Sequence, residues 1–162
     1  MSLFKEFVEG VTSGIVSAAS ESSSSSDVVE TCCQGLGWSV DERLGAEDVR
    51  LHFKDPLIGI RKVVVLGGDQ DGAVTFCVGS AVDLPLQEVP VVALAYLLER
   101  NREPFVRWQM NRGGDGKVSF ALCYSVPAPG LNPSMFKTVC ETMVQEAHEF
   151  DGLMAKAGLL RL

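Results

Sequence analysis

Val118-Ser119-Phe120-Ala121-Leu122-Cys123-Tyr124-Ser125-Val126 alternates large apolar residues with small or polar ones at a period of two. Successive side chains of a strand point to opposite faces. Val118, Phe120, Leu122, Tyr124 and Val126 therefore line one apolar face, and Ser119, Ala121, Cys123 and Ser125 line the other. The preceding Asn111-Arg112-Gly113-Gly114-Asp115-Gly116 is rich in turn residues, and residues 105–110 supply a first arm, so 105–126 reads as a β-hairpin. A sheet with one apolar face needs a cover.

The cover is legible downstream. Asn132 suits a helix N-cap and Pro133 the first helical position. Phe136, Val139, Met143, Ala147, Phe150 and Met154 then recur at three- and four-residue steps, with Gly158 as the C-terminal stop. Upstream, residues 91–100 read as an apolar helix with Val91, Leu94, Leu97 and Leu98 on its buried stripe. Val49, Leu51 and Phe53 alternate with Arg50, His52 and Lys54 in a first strand ended by Asp55-Pro56. Strands over 61–66 and 73–82 follow, joined by a glycine- and aspartate-rich loop over 67–72. A short helix is expected over 27–36, ending at Gly35 or Gly37. Hairpins force antiparallel pairing, so the order α-β-β-β-α-β-β-α predicts an α+β fold: a two-layer antiparallel sheet with helices on one face.

Before this domain, assigned to residues 27–162, Leu3, Phe4, Phe7, Val8, Val11, Ile15 and Val16 recur at helical spacing. That predicts an amphipathic helix over 2–19, weakened by Gly10 and Gly14. A run of serines over 20–26 reads as a flexible segment.

With 162 residues and 46% apolar content, one domain can bury roughly 70% of its unfolded surface without staples. A net charge of −7 argues against nucleic acid and anionic membranes, which are held by Lys and Arg. The five cysteines, Cys32, Cys33, Cys77, Cys123 and Cys140, are odd in number and lack a disulfide framework's spacing, which points to a reducing cytoplasm. No apolar run reaches the ~18–20 residues of a membrane span, and Glu6 and Glu9 interrupt any secretory signal.

Familiar motifs fail on their neighbours. Asp69-Gln70-Asp71-Gly72 lacks the further oxygen ligands of a calcium loop. Gly113-Gly114-Asp115-Gly116-Lys117 has Val118 where a phosphate loop needs Ser or Thr, and runs into a strand rather than a helix. His148-Glu149 is half of a zinc helix motif, with Gly152 where the second ligand belongs. Glu141, Gln145 and His148 share a helix face that reads as solvated, and His52 reads as exposed. Cys140 and His148 lie roughly 80° apart around a helix, a poor nucleophile–base pair. No catalytic, cofactor-binding or metal-ligating constellation is read.

From about residue 27 to residue 155 the chain resembles the type III secretion chaperone-like fold and, within it, the YbjN-like families. The residues that carry the resemblance are Leu97-Leu98-Glu99-Arg100-Asn101, then Pro104-Phe105-Val106-Arg107-Trp108, the turn 113–117, the strand 118–126, and Asn132-Pro133 opening a long last helix. It implies a dimer or a protein-binding role. Secretion chaperones are small acidic dimers that hold a partner's segment extended along apolar grooves, whereas YbjN-like proteins are linked to regulation and motility. The segment 1–26 departs from a simple chaperone.

The leading expectation is thus a non-enzymatic, cytoplasmic protein-binding domain and homodimer. Phe105, Val106, Arg107, Trp108 and Met110 are the contact candidates, because sheet edges accept added strands and Trp and Arg dominate interface energetics. Self-association through the sheet or the last helix would cover surplus apolar area. Two alternatives stay open. One is a small thiol- or metal-dependent hydrolase using a Cys or His. The other is a regulatory domain holding a small molecule beneath helix 91–100.

Overall fold

A computed structural model describes residues 25–45, 48–67 and 72–160. The helix expected over 2–19, the start of the serine run and the centre of the 67–72 loop lie outside the described residues. The elements are α1 (Ser25–Leu36), β1 (Glu42–Arg43), β2 (Val49–Asp55), β3 (Gly59–Leu66), β4 (Ala73–Pro85), α2 (Val91–Arg100), β5 (Trp108–Arg112), β6 (Lys117–Pro127) and α3 (Pro133–Lys156). The expected order holds, with the two-residue β1 added at one end. The six strands form one antiparallel sheet in the order β1-β2-β3-β4-β6-β5.

Local chemistry sets the helix ends. Asn132 Oδ1 accepts from the Met135 N–H at 3.0 Å, and Pro133 follows it into the first turn. Gly37 takes φ +67°, which lets the Trp38 N–H reach back to the Cys33 carbonyl at 2.9 Å and close α1.

Inner-face residues Val49, Leu51, Val63, Val65, Val74, Phe76, Val78, Val118, Phe120 and Leu122 are buried against the helices. The whole expected stripe of α3 is buried among them, from Phe136 to Met154. The opposite face is less bare than the alternation suggests. Val64, Leu66 and Cys77 form a small second cluster there, edged by Leu44 and Cys123.

Three strand boundaries move, the simplest being β3, which starts at Gly59 rather than residue 61. The first hairpin arm begins at Trp108, not at residue 105, because Phe105 adopts φ +63° and takes the chain out of the extended region. The β4 strand runs on to Pro85 through an irregularity. Its register with β6 shifts between Gly79 and Asp83, so Ser80, Ala81 and Val82 stand opposite Phe120 alone.

Candidate interaction surface

The sequence Val91-Val92-Ala93-Leu94-Ala95-Tyr96-Leu97-Leu98 is apolar all round, and α2 buries only one side of it. At 100° per residue, Ala93 and Leu97 fall on the inward side and are buried. Val91, Leu94 and Leu98 fall on the outward side and are 81%, 37% and 72% exposed; Val92 is 60% exposed. The expected buried stripe is therefore corrected: of its four members only Leu97 is inside. A helix that is hydrophobic all round ordinarily has cover on every side. Of the seven large apolar side chains exposed among the described residues, four lie on α2. Leu86, just before it, and Met110, on the adjacent β5, are two more.

The C-terminal end of α2 is fixed. Arg100 makes a two-pronged ion pair with the buried Glu146 of α3, through both Nε and Nη2. Burial, with the Glu146 charge nearby, lifts the Tyr96 hydroxyl to about 12. The next residue, Asn101, clasps the outer edge of β5. Its Oδ1 accepts from the Trp108 N–H at 2.5 Å, and its Nδ2 donates to the Trp108 carbonyl at 3.3 Å. An amide side chain thus stands in for the missing neighbour strand at this position of the edge.

The five expected contact residues separate into three groups. Val106 and Trp108 are core: Val106 is fully buried, and the Trp108 indole packs on Phe150 with centroids 4.8 Å apart. This corrects their expected surface role. Phe105 and Arg107 build the loop into β5. The Phe105 ring meets Tyr124 edge-on at 5.3 Å, and Arg107 Nη1 donates to the carbonyls of Asn101, Glu103 and Val106. Met110 alone projects a large apolar side chain from the edge strand, 45% exposed.

A second polar arrangement lies at the other end of the sheet. Arg61 is buried between Asp55 and Asp151, and His148 of α3 comes within 3.0 Å of Asp55. His148 is therefore bound to a buried carboxylate rather than lying on a wholly solvated stripe. An open groove of about 500 Å³ borders it, lined by Leu57, Gln145, His148, Glu149, Gly152, Leu153 and Lys156. No residue of α2, where the small-molecule alternative placed a ligand, lines this groove. His52 is exposed, as expected. Burial pushes the Cys32 and Cys140 thiols up, and burial with the neighbouring Cys32 lifts Cys33 to about 11. That is the reverse of what a thiol nucleophile requires. No helix among the described residues is long and apolar enough to cross a membrane.

No family model and no curated protein matches the sequence. Solved structures do match the fold. YbjN from E. coli is 16% identical with a TM-score of 0.55, over 83% of this chain and 94% of that one. The Yersinia pestis type III secretion chaperone SycH, in complex with a stable fragment of YscM2, is 14% identical with a TM-score of 0.54, over 78% of this chain and 98% of that one. The fold is that of the secretion chaperones and YbjN.

Proposed function

We propose that this chain is a non-enzymatic protein-binding domain that pairs with a second copy of itself through α2. One observation carries the reading: the outward stripe of Val91, Leu94 and Leu98, exposed on a helix whose other side is already buried. Apolar area of this kind is stabilised by being covered. A two-fold contact matches each stripe with its twin without any further sequence requirement. Met110 extends the same surface onto β5, with Phe105 and Arg107 on the loop beside it. Val106 and Trp108 act from beneath, holding β5 in place.

The acidic charge fits a partner with basic or uncharged extended segments. The likeness to SycH, which was solved with a fragment of another protein bound, supports a partner-holding role for this chain too. Free thiols accord with a cytoplasmic setting, and residues 27–162 are read as a single domain.

Light scattering on the full chain at low micromolar concentration tests the pairing. The expected mass is twice the 17.4 kDa of one chain, and Leu98→Asp is expected to restore the single-chain mass with an unchanged far-UV spectrum. A wild-type species at 17.4 kDa would overturn the self-association.

A further inference from the structure

Cys77 on β4 and Cys123 on β6 stand directly opposite each other, with their Sγ atoms 3.2 Å apart. The register favours a bond between them. The Cys123 N–H donates to the Arg107 carbonyl at 3.0 Å, so its main-chain groups point toward β5 and away from β4. Cys77 and Cys123 are thus a non-hydrogen-bonded pair, the kind whose Cα atoms approach to about 4.5 Å, inside the range that a disulfide spans. Both lie on the sheet face that carries no helix. Cys77 is buried beside its β3 neighbour Val64, whereas Cys123 is only half-buried. Cys32, Cys33 and Cys140 are all buried in the core on the helix side.

We propose that Cys77 and Cys123 form a site of reversible oxidation, which takes a small-molecule disulfide such as oxidised glutathione as its oxidant. Cys123 reacts first, because it is the accessible member. Its thiolate attacks one sulfur of the small disulfide, that S–S bond breaks, and one glutathione thiolate leaves. Cys77 holds its proton until then, since its hydrogen bond to Cys123 and its burial both push that thiol up. It next gives the proton to the departing thiolate and attacks Cys123 Sγ, and the second glutathione leaves as a thiolate that takes up from water the proton Cys123 gave up on ionising. The chain loses two hydrogens and two electrons, and one disulfide becomes two thiols. The product ties β4 to β6, its neighbour in the sheet, and an excess of dithiol reverses it.

The test treats the reduced, folded full chain with oxidised glutathione, quenches it in acid, unfolds it and alkylates the remaining thiols with N-ethylmaleimide. Three of the five thiols are expected to take the label, with one cross-linked peptide joining Cys77 to Cys123 and recovery of all five after dithiothreitol. Cys77→Ser is expected to hold a persistent glutathione adduct at Cys123, and Cys123→Ser to form neither adduct nor bridge. The proposal falls if the folded wild-type chain keeps five reactive thiols, or if the bridge maps to Cys32, Cys33 or Cys140. The wild-type peptide map decides this even where a variant fails to fold.

Discussion

Arg61 on β3 and Asp151 on α3 meet at 2.8 Å although 90 residues separate them, and neither exposes more than 1% of its side chain. Arg61 also donates to Asp55 at 2.6 Å and to the Gly79 carbonyl at 3.0 Å. Asp151 accepts in addition from the Ser80 hydroxyl and the Ala81 N–H. Asp151 is thus the acceptor for Arg61 Nη2, the Ser80 hydroxyl and the Ala81 N–H, and removing it leaves all three donors without that partner inside the fold. Asp151→Ala is expected to cost about 3–5 kcal/mol, measured by urea unfolding. A loss below about 1 kcal/mol would mean that the pair contributes little.

The same cluster sets an acid limit. Burial alone would raise the Asp55 carboxyl. Hydrogen bonds from the Leu57 N–H, Arg61 and His148, with the Arg61 charge, outweigh that and hold it at about 2. A carboxyl whose folded value lies below its unfolded one stabilises the fold above the unfolded pKa, and that stability is lost as pH falls through the folded pKa. Stability is therefore expected to fall between about pH 4 and pH 2, by about 2 kcal/mol from this group. In Asp55→Asn that part of the decline should be absent from a series of urea melts.

Trp108 and Met110 are two residues apart on β5, yet their truncations should read out differently. Trp108→Ala opens a cavity against Phe150 and is expected to cost about 3–5 kcal/mol. Met110→Ala, at an exposed position, should stay within about 0.5 kcal/mol while weakening self-association. Parallel unfolding and light-scattering measurements separate the two, and a large stability loss at Met110 would contradict its placement.

Asn101→Ala removes both hydrogen bonds of the β5 clasp, at an expected cost of about 1–3 kcal/mol. It also frees main-chain groups on an edge strand, so concentration-dependent aggregation should rise. Amide hydrogen exchange at Trp108 checks this directly: its protection should drop in the variant and leave β6 unaffected.

How much of this was legible depends on pattern strength. The 118–126 alternation and the α3 stripe left one reasonable reading each, and both are in place. The α2 segment was misread because eight consecutive apolar residues give the helical period no polar face to choose against. The same monotony was the signal that a second side would be left over. The Arg61 cluster joins residues far apart in sequence, although Arg61 shares strand parity with Val63 and Val65, and Asp151 falls within the α3 stripe. Phe105 escaped because a positive φ is rare for any residue but glycine, so no local propensity encodes it.

The break in the β4–β6 register has a mechanical meaning. By standing opposite Phe120 alone, Ser80, Ala81 and Val82 escape regular pairing, and Asp151 accepts from the Ala81 N–H this leaves and from the Ser80 hydroxyl beside it. The spare residues act as a keyway for the long helix. An apolar interface would tolerate some sliding of α3 along the sheet, whereas a carboxylate seated in this notch allows one axial position. Shortening β4 there to an ideal ladder would unlatch the two layers from each other while leaving nearly every hydrophobic contact available.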